Sequence, residues 1–211
     1  MRNGNGASHT LTTMAELEAL YNEPPYGPAV VKEIDHINQA YRKLIEASPF
    51  FALATCGPDG LDCSPRGDPA GFVRVLDEKT IAVPDRRGNN RIDSLRNLIH
   101  DPRVALLFMI PGVNETLRII GRAKICTEPQ LCASFTIQGK APRAVLLISV
   151  DRVYFQCAKA LMRSKLWDPA TKVDRSTLPT SGAILAEITD GKMGGPEHDR
   201  TYPERVKATI Y

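Results

Sequence analysis

Between residues 50 and 126 the apolar residues arrive in short runs, and turn-forming residues cut each run off before a helix could form. Residues 50–55 make the first run, and Gly57-Pro58-Asp59-Gly60 turns the chain. Residues 61–64 return, ending at Pro65-Arg66-Gly67. Residues 72–76 and 80–83 are joined only by Asp77-Glu78-Lys79, a link of hairpin length. Residues 104–110 and 116–126 flank Pro111-Gly112-Val113-Asn114, and residues 144–157 form one further long strand pattern. About seven strands are expected. Links this short join antiparallel neighbours, because parallel neighbours need a crossover of a dozen residues or more. The expected fold class is therefore mainly β with peripheral helices, an antiparallel barrel of the α+β type.

Helices are expected around this core. Residues 1–12, rich in Gly, Asn, Ser and Thr, are expected to be disordered. Thr13 and Glu16 have the spacing of a capping box and open a short helix closed by Pro24-Pro25. Val30, Ile34, Ile37, Tyr41, Leu44 and Ile45 recur at helical spacing, which predicts one helix up to Ser48-Pro49. Further helices are predicted over 91–99, 129–138, 158–167 and 181–189. A Gly/Pro-rich arm is expected over 191–203 and a terminal helix over 203–210. The organisation expected is a helical N-terminal segment over 1–49 packing on the barrel, a barrel over 50–170 and a C-terminal extension over 171–211.

Composition bounds the function classes. The 211 residues carry a net charge of +3, with no block of five like charges and only 6% aromatics. A basic stripe with interleaved aromatics is therefore missing, and nucleic acid is not an expected partner. No apolar run is long enough for a membrane span or a secretory leader, so neither is expected. Cys56, Cys63, Cys126, Cys132 and Cys157 are odd in number and irregular in spacing, and read as reduced thiols of a cytoplasmic protein. The four histidines have no metal-ligand spacing, so no metal is expected. No nucleophile elbow, Walker loop or dinucleotide fingerprint occurs.

Four polar segments remain. The first runs from a strand through Pro84, Asp85, Arg86, Arg87, Gly88, Asn89 and Asn90 into a helix carrying Arg91 and Ser94. A helix N-terminus offers free N–H groups, and guanidinium forks match a phosphate. Asn90 is the expected N-cap, with Asp93 completing a box. Local chemistry fits either a phosphate clamp or a solvated turn with an ordinary cap. The second is Asp62-Cys63-Ser64-Pro65-Arg66-Gly67-Asp68, whose polar groups need a ligand or a surface position. In the third, Thr116, Arg118 and Arg122 share one face of a strand, either around a ligand or toward solvent. The fourth is a predicted helical stripe of Lys159, Arg163 and Trp167, in which the tryptophan either stacks on a planar ligand or packs in the core.

The segment from Phe51 to Ile125, with its run DCSPRGDPAGFVRVLDEKTIAVPDRRGNNRIDSLRNLIHDPRVALLFMIPGVNETLRIIGRA, and the later CAKALMRSKLWDP resemble a known family. It is the pyridoxamine 5'-phosphate oxidase-like, FMN-binding split-barrel superfamily, and within it a bacterial subfamily of FMN-dependent enzymes without an assigned substrate. The resemblance implies an antiparallel split barrel that forms a homodimer with FMN between subunits. It implies an FMN-dependent oxidoreductase and a possible small-molecule substrate. By position, Pro84, Asp85, Arg86 and Arg87 fall on the family's flavin- and phosphate-contacting strand and basic loop. The phosphate ligand is open among Arg86, Arg87, Asn89, Asn90 and Arg91, with Ser94 near further phosphate ligands. Ser64 and Arg66 fall where ribityl or ring atoms are contacted. Thr116 falls on a flavin-contacting glutamine, Arg118 beside it, and Trp167 in a segment that reaches a partner's cofactor. The C-terminal Trp-Gly-Gly-Tyr-Arg motif of true oxidases is missing, so vitamin B6 oxidation is not expected. The competing reading is a non-catalytic protein that holds flavin, deazaflavin or haem. Haem would call for an axial histidine, and His100, the nearest of the four, sits at a helix end.

Overall fold

Alternation along the chain is what builds the sheet. Phe51, Leu53 and Thr55 are buried while Phe50, Ala52 and Ala54 between them are half-buried, so one face of this strand is core and the other is not. The computed structural model describes residues 9–211. Two units are distinguished, one ending at Lys32 and the other spanning Glu33–Tyr211.

The first unit holds α1 (Met14–Leu20) and α2 (Gly27–Val31). The Thr13–Glu16 capping box forms as expected, with both reciprocal hydrogen bonds present. The single helix expected to run up to residue 48 does not form. Ile34 instead pairs with Val153 as an isolated antiparallel bridge. A fresh helix, α3 (Gln39–Ala47), starts where the Asn38 side chain accepts from the Tyr41 N–H. The cap overrides the periodicity, because Asn at that position offers the backbone an alternative to continuing a helix.

The second unit contains a seven-stranded antiparallel sheet. Its strands are β1 (Phe50–Gly57), β2 (Gly60–Gly67), β3 (Arg74–Val75), β4 (Thr80–Pro84), β5 (Arg103–Met109), β6 (Thr116–Cys126) and β7 (Val145–Gln156). Their order is β2-β1-β5-β6-β7-β4-β3, every pairing is antiparallel, and the sheet is not closed. This is the mainly β, split-barrel class with flanking helices that the sequence predicts. β3 is shorter than the expected run over 72–76, although Phe72 and Val73 are still buried in the core.

The main core lies on one face of the curled sheet and gathers Phe51, Leu53, Ile81, Leu106, Phe108, Leu117, Ile119, Leu146 and Ile148, with Tyr41 and Ile45 from α3. On the other face, α5 (Pro129–Ser134) covers Ala82 and Val145 with Cys132 and Phe135. α4 (Asp93–His100) buries Leu98 against the main core. α6 (Lys159–Ser164) is shorter than expected and ends before Trp167. α7 (Ser181–Ile188) forms as expected. α8 (Gly195–Thr209) is continuous, where an arm ending at Pro203 was expected. Pro203 lies inside it. The N-terminal half of α8 is tied to α7 by Asp199, which accepts from the Thr180 hydroxyl and the Gly182 N–H, so this tertiary contact holds the segment helical up to the proline.

Candidate functional site: a polar chain beside an open helix terminus

Ser64 and Arg66 lie opposite Leu53 and Phe51 in the β1–β2 ladder, so they share the core-facing side of the sheet. They are on an edge strand at the rim of the core, where polar groups must be satisfied locally. α4 supplies the partner. Asn97 donates to Thr55 at 3.0 Å, and Gly57 leaves room for it, since a Cβ there would stand 2.1 Å from the Asn97 amide oxygen. Three residues earlier on the same helix face, Ser94 is brought against β2 and is 4% exposed.

A directed hydrogen-bond chain results. Arg66 Nη1 donates to Ser64 Oγ at 2.9 Å, Ser64 and Ser94 lie 2.9 Å apart, and Ser94 Oγ donates to Asp62 Oδ2 at 2.9 Å. An arginine can only donate and a carboxylate can only accept, so the two hydroxyl protons between them both point toward Asp62. Neither serine has a proton to spare for a ligand. The remaining guanidinium N–H groups of Arg66 do.

Asp85 extends the β4 ladder by one bond, its N–H meeting the Ala144 carbonyl at 2.9 Å. Burial pushes its carboxyl pKa up, and the nearby Arg66 charge opposes that rise. Arg86 is committed elsewhere. Its Nε meets Asp68 Oδ2 at 2.6 Å, its Nη1 meets the Phe135 carbonyl at 2.7 Å, and the Asp68 side chain is 1% exposed. Tyr211 donates to the other Asp68 oxygen at 2.7 Å. Asp68 follows edge strand β2, and Arg86 follows β4 near the opposite edge, so this ion pair seams the split of the barrel.

The expected capping box on Asn90 and Asp93 is absent. Asp93 pairs with Arg91 at 2.7 Å, and Asn90 has φ 64°. The N-cap of α4 is Ile92, at φ 54° with no side-chain cap. A β-branched residue in the left-handed region is strained, and such strain collects at ligand sites. The first turn of α4 therefore carries N–H groups without a side-chain acceptor, beside exposed Arg87, Asn89, Asn90 and Arg91.

The other expected residues lie apart from this chain. Thr116 and Arg118 occupy the opposite face of the sheet, in line with Leu107 and Ala52, and Arg118 donates to the Tyr154 hydroxyl at 2.9 Å. Trp167 sits by the β5–β6 turn, its Nε1 donating to the Val113 carbonyl at 2.8 Å. The period-2 spacing of Asp62, Ser64 and Arg66 carried the signal for Asp62 as a site residue. Tyr211 had no local signal. Among the described residues no group of three or more His, Cys, Asp or Glu could hold a metal, and no helix is long and apolar enough to cross a membrane.

The chain is thus an antiparallel split barrel with exposed arginines beside an uncapped helix terminus. Residues 37–157 match the family model described as pyridoxamine 5'-phosphate oxidase, and the chain belongs to that family. No curated protein matches it. Similar solved structures include HupZ of Group A Streptococcus, at 23% identity over 56% of this chain and 93% of that one, with a TM-score of 0.45. General Stress Protein 26 of Bacillus anthracis is 15% identical over 54% and 88%, with a TM-score of 0.41. An FMN-binding protein of Syntrophomonas wolfei is 10% identical over 67% and 97%, with a TM-score of 0.42.

Proposed function

We propose that the chain binds FMN and acts, as a cytoplasmic homodimer, as an FMN-dependent oxidoreductase on a small molecule. The observation that carries this reading is the open N-terminus of α4 beside Arg66, Arg87 and Arg91. Its donors are free N–H groups and guanidinium forks, the set that a phosphate monoester requires. The part-buried serine–carboxylate chain holds Arg66 in place. Because Arg86 is spent on Asp68, the phosphate falls to Arg87, Asn89 and Asn90, and to Arg91 through the guanidinium nitrogens that its exposed ion pair with Asp93 leaves over, with Arg66 nearer the ribityl chain or ring and the backbone of Pro84 and Asp85 alongside. The opposite sheet face, carrying Thr116 and Arg118 among Ala52 and Leu107, is the one a second copy covers.

FMN when bound supplies redox chemistry through its ring, and the protein binds and orients it and sets its electrostatic surroundings. Arg66 contributes fixed positive charge there, and Asp85 contributes a carboxyl whose ionisation burial disfavours.

The test compares FMN with riboflavin, which lacks the phosphate. Wild type should prefer FMN by at least tenfold in a spectroscopic titration. Arg87→Ala should erase most of that preference, a loss of about 1.5–3 kcal/mol for one charge-assisted contact. Arg86→Ala should instead lower stability by about 3–5 kcal/mol, since it strands a buried carboxylate. Equal binding of the two ligands by wild type would reject the phosphate site. Anaerobic bleaching of the flavin bands by NADH or NADPH would support a reductase, and bands that stay oxidised would favour a carrier.

A further inference from the structure

Two thiols meet on the sheet face that α5 covers. Cys126 ends β6 directly opposite Val145 of β7, so these two side chains share a face. It is the face that carries Ala82, Val145 and Leu147, whereas the next pair, Ile125 and Leu146, turns into the main core. α5 brings Cys132 into the same small core as Val145, where it is 7% exposed. The Cys132 thiol lies 4.0 Å from the Cys126 carbonyl oxygen. Burial pushes that thiol's pKa up, and the neighbouring Cys126 and Glu128 add to the rise. Strand register and helix docking thus place one half-buried thiol beside one buried thiol.

The other three cysteines are placed differently. Cys56 and Cys63 share the outward face of β1 and β2, but only as diagonal neighbours. Diagonal positions stand about 7–8 Å apart, beyond the roughly 4.4–6.8 Å that separates the Cα atoms of a disulfide. Cys157 follows the far end of β7, past Gln156, which pairs with Thr116 at the opposite end of β6 from Cys126.

We infer that Cys126 and Cys132 form a redox-responsive thiol pair, which a hydroperoxide converts to a disulfide that fastens α5 to the end of β6. The more accessible Cys126 takes the first step as its thiolate. Its sulfur attacks one peroxide oxygen, the O–O bond breaks, and the sulfur becomes a sulfenic acid. With hydrogen peroxide the other oxygen leaves as water, taking a proton from solvent. The Cys132 sulfur then attacks the sulfenic sulfur. An S–S bond forms, the S–O bond breaks, and the departing hydroxide leaves as water with the Cys132 proton. Two thiols and one peroxide give one disulfide and two waters. In a reducing compartment such a bridge is transient and signals oxidant. α5 also presents the Ser134 carbonyl to Arg74 at 2.6 Å and the Phe135 carbonyl to Arg86 at 2.7 Å, so fastening it steadies the barrel seam. None of this depends on flavin binding.

The test treats the native chain with hydrogen peroxide, then alkylates it with iodoacetamide and digests it with trypsin. Residues 125–140 leave as one fragment, with no internal Lys or Arg, and it holds Cys126 and Cys132 but none of the other three cysteines. The fragment should lose two hydrogens and take up no alkyl group, and dithiothreitol should restore both alkylation sites. In Cys132→Ser, Cys126 should stop at the sulfenic acid and be trapped by dimedone. In Cys126→Ser, Cys132 should stay a thiol. Amide exchange over α5 should slow in the bridged chain, and unchanged exchange would refute the fastening. A wild-type fragment that still takes two alkyl groups once Cys63 and Cys157 are oxidised overturns the inference. Oxygen addition without loss of two hydrogens does so too, as does a bridge from either thiol to another cysteine.

Discussion

At the scale of single residues, the site is defined by which charges are already committed. Two adjacent arginines, Arg86 and Arg87, look alike in the chain. One is locked by a 1%-exposed carboxylate and a helix-end carbonyl, and the other is exposed. Asp85 beside them bears a cost. Burial raises its pKa, so between its unfolded and folded values the native chain holds a proton that the unfolded chain has lost. Stability then falls as pH rises through the folded pKa, and above that value a half-buried carboxylate remains. Asp85→Asn should therefore raise the melting temperature at neutral pH, and the gain should vanish below about pH 4, where an unfolded aspartate is itself protonated. Melting curves of both proteins across that range check it, and a gain independent of pH would refute the assignment.

At the scale of elements, the strands were readable and several helix ends were not. The body of β6 matches the pattern of its side chains because burial alternates with a period of two from Leu117 to Lys124. The hairpins were set by Gly, Pro and Asp in their links. Helix starts depend on one hydrogen bond each, and there the reading of α4 failed. Asn90 has the chemistry of a cap, yet a left-handed Ile92 takes that place, and Asp93 is drawn to Arg91 instead. Nothing local distinguishes those outcomes, since the competition is settled by how Ser94 and Asn97 dock on β2 and β1. The same holds for the site. Ser64, Arg66 and Ser94 were each visible as candidates, whereas their joining through Asp62 required the register of two strands and a helix. One element rule yields a direct test. A Cβ at Gly121 would meet the Ser149 carbonyl oxygen at 2.1 Å, beside the β6–β7 register shift at Ile120. Backbone in the middle of a sheet cannot yield as a side chain can. Gly121→Ala should cost at least about 1–3 kcal/mol, measured by denaturant unfolding.

At the scale of the whole molecule, one face of the sheet is unevenly covered. α5 shields the β4–β7 end. Over β1 and β5 the outward residues are Ala52, Ala54, Ala105 and Leu107, small or apolar and only half-buried. A two-fold contact is the commonest way to cover such a face. For the homodimer and flavin site proposed above, Leu107→Glu should halve the mass seen by sedimentation and weaken FMN binding with it. A mass that the substitution leaves unchanged would refute this face as a subunit contact. The seam of the barrel also fixes an order of events during synthesis. One oxygen of Asp68 meets a partner made 18 residues later, and the other waits for a phenol 143 residues downstream. A ribosome adding roughly 5–20 residues per second separates these two moments by on the order of ten seconds. Through that interval the nascent barrel carries a half-sealed joint. Translation speed between Arg86 and Tyr211 thus sets how long that joint is exposed to chaperones, and slow codons there would lengthen it.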